Sequence, residues 1–209
     1  MEVIKVILSY LLGSIVGGLL VGRLRGGVDI RRLGSGNAGG TNALRTQGKA
    51  FAFWVLLIDI GKGWAATRVI APFHTTPPDG WIAAACGLAV MLGHVYPLWY
   101  GFRGGKGVAT LVGAGLGLDV WLLPPMLATW LVAVVLFGFV GLASMLGALA
   151  LAVAGALGSW EPRAPLVTFG MLSAMLIAFT HRSNIARMRA GTEPRARRLW
   201  LFGLRRRSA

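Results

Sequence analysis

The chain carries, between two long apolar blocks, the stretch Gly34-Ser35-Gly36-Asn37-Ala38-Gly39-Gly40-Thr41-Asn42-Ala43-Leu44-Arg45. Its first seven positions hold four glycines, which can adopt positive φ and let a backbone approach a ligand closely. The serine, threonine and asparagines add hydrogen-bonding groups, and Arg45 adds a planar guanidinium suited to phosphate. A polar loop inside such an apolar chain indicates a binding site held by a membrane bundle.

The composition supports a membrane fold, since 56% of the 209 residues are hydrophobic and 13% are charged. A soluble domain usually has about 25% charged residues. The apolar residues come in blocks close to the length of a bilayer span. The only cysteine, Cys86, lies inside such a block, so no disulfide framework is expected. We predict an all-α, polytopic membrane protein.

The formal net charge of +14 would suggest a nucleic-acid partner in a soluble protein. No aromatic stacking platform interleaves with the basic residues here. We attribute the charge to the positive-inside rule and to anionic ligands and membrane lipid. We therefore expect no nucleic-acid partner.

Seven apolar segments predict seven transmembrane helices. They are residues 6–22, 50–71, 80–98, 108–118, 121–139, 142–157 and 166–180. Four arginines after the first segment place the next loop in the cytoplasm and the N-terminus outside. Residues 108–118 would form only about 17 Å of helix, which is short for a crossing. We count them as a crossing because otherwise nine arginines after the last segment would face outward.

This topology places the C-terminus in the cytoplasm. We predict a transmembrane domain over residues 1–194 and a basic amphipathic tail over residues 195–209 that lies on the anionic inner leaflet. Within the second segment, Asp59 and Lys62 lie one helical turn apart, and an unpaired charge there would be costly. A structural ion pair is favoured over a direct catalytic role.

Two further polar loops follow the pattern of the first. The second comprises Gly93-His94-Val95-Tyr96-Pro97 and Phe102-Arg103-Gly104-Gly105-Lys106-Gly107. Its glycines around basic residues, just before a helical segment, are typical of an anion cradle at a helix N-terminus. Taken alone, this pattern is more often a basic turn beside the membrane. The third loop runs from His181 to Glu193, and the predicted topology places all three on the cytoplasmic side.

The three loops together favour a phosphate-binding site with several cations. These are Arg45, Arg103, Lys106, Arg182 and Arg187, with His181 as the histidine of the third loop. There is no carboxylate pair, no thiolate nucleophile and no cluster with metal-ligand spacing, so we expect neither a metal nor a cofactor. A nucleophilic pair of Ser35 and His181 is conceivable, although no acidic residue evidently orients that histidine.

The motifs resemble those of the acyl-phosphate:glycerol-3-phosphate acyltransferase family of bacterial membrane enzymes. The family pattern GSGNxGxTNxxR is matched by Gly34 to Arg45, and GHxxP followed by FxGGKG by the second loop. HxxNIxRxxxGxE is matched by His181 to Glu193. The resemblance implies seven spans, an external N-terminus and a cytoplasmic active site in the bacterial inner membrane. It also implies acyl phosphate as donor, glycerol 3-phosphate as acceptor, and 1-acyl-glycerol 3-phosphate and inorganic phosphate as products.

On this basis we predict Ser35, His181 and Asn184 as catalytic residues. The predicted substrate-binding residues are Gly34, Gly36, Asn37, Thr41, Asn42, Arg45, Arg103, Gly104, Gly105, Lys106, Gly107, Arg187 and Glu193. In this hypothesis Lys106, Arg45 and His181 hold the glycerol phosphate. The first loop, through Ser35 and Asn37, holds the donor phosphate or the oxyanion, while Asn184 orients the attacking glycerol. The proton acceptor is either His181 or a substrate phosphate.

Two alternatives remain open at this point. One is a transporter or channel for a phosphorylated anion, although unequal spans without inverted repeats do not favour alternating access. The other is an acyltransferase that uses a different donor. The predicted partners are glycerol 3-phosphate, a fatty acyl phosphate and membrane lipid. We expect no obligate protein partner, the enzyme that makes acyl phosphate being the one candidate.

Overall fold

The structure, a computed structural model, describes residues 1–73, 80–158, 163–196 and 199–201. Over these ranges the regular secondary structure is helical and contains no β-strand. The all-α prediction is thereby confirmed. The chain divides into an N-terminal unit, Met1–Val120, and a C-terminal unit, Trp121–Ala209.

In residues 1–73 and 80–120, the N-terminal unit has six α-helices and contains the first two motif loops. They are α1 (Glu2–Gly13), α2 (Gly17–Leu24), α3 (Gly40–Gln47), α4 (Lys49–Ala65, extended by a π-helical turn at Ala66–Ile70), α5 (Gly80–Val95) and α6 (Val108–Leu118). Short 3₁₀ turns at Ile30–Arg32 and Leu98–Tyr100 lie in the loops before α3 and α6.

Between Trp121 and Arg189, the described residues of the C-terminal unit form three long helices and then a short one. A 3₁₀ turn at Val120–Leu122 leads into α7 (Leu123–Phe137), followed by α8 (Val140–Leu157), α9 (Arg163–Thr180) and α10 (Arg182–Arg189). Helix α8 packs against both α7 and α9. Small residues allow the close approach, since a methyl group at Gly170 would lie 2.6 Å from the Cα of Ala152.

Among the described residues, five helices are long and apolar enough to cross a membrane, or six if the bent pair α1–α2 counts as one span. The short helix α6 has the bounds predicted for the fourth segment, residues 108–118. The prediction that it completes a set of seven crossings, and the orientation of the chain, stay predictions.

The first predicted segment is not one continuous helix. It is broken after Gly13 and resumes at Gly17 with a bend of 49°. The break lets the two halves pack on different helices. A side chain at Gly13 would collide with the carbonyl of Val90 on α5, and a methyl group at Gly17 would lie 2.7 Å from the carbonyl oxygen of Val55 on α4.

The buried ion pair of α4 satisfies the backbone groups that this break exposes. Lys62 Nζ lies 2.9 Å from Asp59 Oδ1 and donates to the carbonyls of Gly13 at 2.9 Å and Ile15 at 2.8 Å. The N–H of Gly17 donates to Asp59 Oδ1 at 3.0 Å. The predicted structural ion pair is confirmed, and its partners explain it: a broken helix leaves polar backbone groups that need internal partners in an apolar bundle.

Candidate active site

The first motif loop is built around the side chain of Asn42, at the start of α3. The Nδ2 atom lies within 2.9–3.0 Å of the carbonyl oxygens of Ile30, Leu33 and Asn37. Its Oδ1 accepts the N–H of Ser35 at 2.9 Å. With 1% of its surface exposed, the side chain is enclosed by the loop that it organises. Each of these bonds joins Asn42 to the backbone, so the residue holds the loop in one conformation.

Asn42 was predicted to bind substrate, and this stays a prediction. In the structure its side-chain polar atoms are directed to the loop backbone, so the residue also positions the loop. Gly34, at φ +57°, is required beside it because a side chain there would collide with Asn42 Oδ1. The predicted ligand contacts Ser35, Thr41 and Arg45 lie exposed on this loop.

Arg31, three residues before the first motif loop, links this part of the chain to the second motif loop. Its Nε donates to Asp29 Oδ1 at 3.0 Å and its Nη2 to Asp29 Oδ2 at 2.8 Å. Its Nη1 donates to the carbonyls of Tyr100 at 3.1 Å and Arg103 at 2.7 Å. The hydrogen bonds from Arg31 hold the pKa of Asp29 below its usual value, and Asp29 raises the pKa of Arg31. Sequence reasoning used Arg31 only as a topology signal and missed this link.

The second motif loop folds back on the end of α5. The N–H groups of Gly104 and Gly105 donate to the carbonyls of Val95 at 3.0 Å and His94 at 3.1 Å. A side chain at Gly105 would collide with the imidazole of His94. These two glycines, predicted to contact substrate, are thus also required by the packing of the loop.

His94 connects this loop to the buried ion pair. Its Nδ1 lies 2.9 Å from Lys62 Nζ and 3.3 Å from Asp59 Oδ1. The motif GHxxP therefore supplies a histidine that bridges the polar interior and the backbone of Gly104 and Gly105. Spacing in the sequence offered no signal for this link, because Asp59 and His94 belong to different helices.

The predicted cations of the second loop flank the two glycines that bond the end of α5. Arg103 is exposed and Lys106 is half-buried. Gly107, at φ +88°, directly precedes α6. The structure thus brings the first two motifs together in the N-terminal unit, with Arg31 as the direct connection.

The third motif is located in the C-terminal unit, at the junction of α9 and α10. His181 is 4% exposed, and its Nδ1 lies 2.8 Å from the carbonyl oxygen of Ile177. A carbonyl can only accept, so Nδ1 carries the proton in this contact. In the neutral imidazole the lone pair is then on Nε2, which is the arrangement that a general base requires.

Glu193 closes the third motif by bonding two residues of α10. Its Oε1 accepts from Asn184 Nδ2 at 2.6 Å, and its Oε2 accepts from Arg187 Nε at 2.6 Å. The chain turns back at Gly191, which has φ +69°, and the N–H of Thr192 donates to the carbonyl of Arg187 at 2.8 Å. The spacing of the motif therefore encodes a clamp that orients Asn184. The predicted substrate contacts of Arg187 and Glu193 stay predictions.

Within the described ranges, no three His, Cys, Asp or Glu side chains group closely enough to hold a metal ion. The helices and the polar loops at their ends define a helical membrane protein whose motif loops are rich in cations and amides.

Comparison with known proteins gives the family. The family model described as glycerol-3-phosphate acyltransferase matches residues 3–191. A relative from Bordetella pertussis with that name is 41% identical over 195 residues, covering 91% of this chain and 89% of the relative. One from Geotalea daltonii is 41% identical over 192 residues, covering 92% of this chain and 96% of the relative.

Solved structures agree. A crystal structure of PlsY, an integral membrane glycerol 3-phosphate acyltransferase, in the glycerol 3-phosphate form has a TM-score of 0.84 and 33% identity, covering 93% of this chain and 94% of that one. The lysophosphatidic acid form has a TM-score of 0.83 and 32% identity, with the same coverage. This chain is a multi-pass membrane acyltransferase. It belongs to the glycerol-3-phosphate acyltransferase family, and the family resemblance predicted from the motifs is confirmed.

Proposed function

We propose that this chain transfers an acyl group from acyl phosphate to the 1-hydroxyl of sn-glycerol 3-phosphate. The products are 1-acyl-glycerol 3-phosphate, which is lysophosphatidic acid, and inorganic phosphate. The observation that carries the proposal is the family match over residues 3–191, which contains the first two motifs and the third as far as Gly191. The related crystal structures in glycerol 3-phosphate and lysophosphatidic acid forms support the acceptor and the product.

The reaction suits a site made of cations, amides and glycines. Acyl phosphate is a mixed anhydride with a good leaving group. The glycerol oxygen bonds to the acyl carbonyl carbon, the bond from that carbon to the phosphate oxygen breaks, and the hydroxyl proton passes to a base. Holding two anionic substrates together can contribute about 7–11 kcal/mol through proximity. Hydrogen-bond donors directed at the developing oxyanion contribute further.

The roles follow from the chemistry of each loop. Arg45 and Lys106 neutralise the phosphate of the acceptor, together with Arg103 of the second loop. Ser35, Asn37 and the backbone N–H groups of the first loop bind the donor phosphate or the oxyanion. The pinning of both loops by Arg31 supports this assignment, since two phosphates can be held together only by loops whose spacing is constrained. Asn184, oriented by Glu193, aligns the glycerol.

The base is His181 or a substrate phosphate. The hydrogen bond from His181 Nδ1 to Ile177 favours the histidine, because it leaves Nε2 as the acceptor. If His181 is the base, replacing it with alanine should lower kcat by about 10²-fold or more. A His181→Ala variant with intact kcat and only a raised KM for glycerol 3-phosphate would instead assign the proton to a substrate phosphate.

The proposed location is a bacterial cytoplasmic membrane, with the site on the cytoplasmic side, where the chain performs the first acylation of phospholipid synthesis. The relatives that support the location come from bacteria. The charge pattern supports the side, since the positive-inside rule places all three motif loops in the cytoplasm.

The first experiment is phosphate release by the detergent-purified protein given palmitoyl phosphate and glycerol 3-phosphate, with palmitoyl-CoA as the parallel donor. We expect release that needs both substrates, with lysophosphatidic acid appearing at the same rate. Product from palmitoyl-CoA alone would keep the acceptor and refute the donor. No product from either donor, together with uptake of labelled glycerol 3-phosphate by protein-loaded liposomes, would favour transport.

A further inference from the structure

The chain beyond the third motif folds back on the turn between α7 and α8. The N–H of Ala196 donates to the carbonyl of Gly138 at 2.8 Å. Ala196 also packs against the apolar cluster that Ala133, Val134 and Ala143 form at the facing ends of the two helices. The beginning of the basic tail therefore contacts protein. The expectation that residues 195–209 lie on the inner leaflet stays a prediction, and residues 197–198 and 202–209 lie outside the described part of the chain.

Arg195 stabilises the contact between the tail and the turn, and its guanidinium stacks on two aromatic rings. Its Cζ lies 4.0 Å from the ring centroid of Trp200 and 4.8 Å from that of Phe139. A planar guanidinium stacks well on aromatic faces, and here it does so at an exposed position. Gly138, at φ +79°, allows Trp200 to approach the turn, because a methyl group at this position would lie 2.9 Å from Trp200 Cγ.

The turn between α7 and α8 leads into Gly141, which packs against Asn184. A methyl group at Gly141, in the first turn of α8, would lie 3.0 Å from the Cβ, Cγ and Nδ2 atoms of Asn184. Asn184 is 8% exposed, with its Nδ2 bonded to Glu193. Its side chain therefore has two supports within this unit. One is the carboxylate of Glu193 and the other is the start of α8.

We propose that Arg195, Ala196 and Trp200 form a C-terminal clasp that holds the α7–α8 turn and thereby positions Asn184. Arg195 is a positioning residue in this account, since it acts through Phe139, the turn and Gly141. The clasp lies beyond residue 191, where the match to the family model ends. The inference rests on the proposed function, in which Asn184 aligns the attacking glycerol.

The kinetic test compares variants of the full chain at a saturating palmitoyl phosphate concentration. Arg195→Ala should lower kcat about tenfold, because a loosened Asn184 aligns glycerol poorly. Arg195→Lys should recover part of the loss, since an ammonium group keeps the attraction to the rings, whereas Arg195→Gln should recover none. The matched control is Arg189→Ala, which removes an exposed arginine in the last turn of α10 and should leave kcat unchanged.

A second variant removes Trp200, the aromatic partner of Arg195 in the clasp. Trp200→Ala should reproduce the loss in kcat, and combining it with Arg195→Ala should add little, because both changes remove one interaction. Trp200→Phe keeps a ring for the guanidinium and should stay close to wild type. Unchanged kcat in Arg195→Ala, or an equal loss in Arg189→Ala, would overturn the proposal.

A readout that does not depend on the acyl donor is amide hydrogen exchange over residues 182–189. Exchange there should accelerate in Arg195→Ala and not in Arg189→Ala, while residues 108–118 stay protected in both. Unaltered exchange over residues 182–189 would overturn the link between the clasp and the third motif. Absence of wild-type activity with palmitoyl phosphate would instead refute the proposed donor, and the exchange comparison would still decide the clasp.

Discussion

Arg31 is the residue on which the pairing of the first two motif loops depends. It bonds Asp29 and the carbonyls of Tyr100 and Arg103 at once. The geometry needs an arginine, because its donors are held in a rigid fork. Its neighbour Arg32, by contrast, is exposed.

Arg31→Ala should raise the KM for glycerol 3-phosphate by about tenfold, since releasing the second loop lets the cations around Lys106 move away from the first. Steady-state kinetics with palmitoyl phosphate held saturating would measure it. The matched control, Arg32→Ala, should change KM little. A variant of Arg31 that melts at a lower temperature but keeps its KM would show that the link only stabilises the fold.

Lys62 is the residue on which the broken first span depends. It is 4% exposed and bonds Asp59, two carbonyls of the break and His94. Removing one partner of a buried ion pair leaves the other charge without compensation.

Lys62→Met should therefore destabilise the protein by about 3–5 kcal/mol. Thermal unfolding of the purified protein in detergent, followed by tryptophan fluorescence, would show a lower midpoint. Lys49→Met, at an exposed position in the first turn of α4, is the control. The double change Asp59→Asn and Lys62→Met should be milder than the single one, because no charge is left unpaired. Equal losses would contradict the assignment.

Among the elements, the short helix α6 owes its position to glycines. A side chain at Gly113 would collide with the carbonyl of Ile60 on α4, and one at Gly63 would collide with the carbonyl of Thr110 on α6. Backbones can approach this closely only where both helices lack side chains at the contact.

Gly113→Ala should destabilise the N-terminal unit by about 1–3 kcal/mol through overpacking. Gly61 offers a matched control on α4, since a methyl group there meets nothing within 4 Å. Gly61→Ala should be neutral or stabilise by up to about 1 kcal/mol, because alanine favours helix more than glycine. Denaturation midpoints of the two variants would measure the difference. Similar midpoints for both would contradict the packing argument.

At the scale of the whole molecule, the open question is whether α6 crosses the membrane. If it does, Asp119 is outside and Arg189 is in the cytoplasm. If it does not, the two positions exchange sides, because three later spans follow.

Cysteine labelling of intact cells would decide the topology. In a Cys86→Ala background, we expect Asp119→Cys to react with a membrane-impermeant thiol reagent and Arg189→Cys to react only after lysis. Thr41→Cys, predicted to be cytoplasmic on either topology, serves as the internal reference. The reverse pattern for Asp119 and Arg189 would remove the crossing at residues 108–118 and leave six.

Much of this fold was predictable from the sequence. The bounds of α6 agree with the predicted fourth segment, and the pairing of Asp59 with Lys62 follows from helical spacing. The break at Gly13 was missed because the apolar pattern continues through it. Only the neighbouring helices show why the chain bends there.

For the candidate site too, one part was predictable from the sequence and another part was not. The residue types and spacing of the three motifs identified the family, which the comparisons confirm. They did not reveal that Asn42 builds the first loop, that Arg31 joins it to the second, or that Glu193 holds Asn184. Arg31 and Tyr100 are far apart in the chain, so no local pattern marks their contact.

The sequence by itself determined that this protein is a helical membrane protein, because hydrophobicity is a sum over neighbouring residues. The residue types and spacing of its three motifs determined the glycerol-phosphate acyltransferase type. Only the tertiary structure decided which polar groups build the loops. Hydrogen bonds and ion pairs form between atoms about 3 Å apart, and that distance is set by the folding of the whole chain. For that reason Arg195, which composition marks only as one more basic residue of the tail, becomes a candidate support for Asn184.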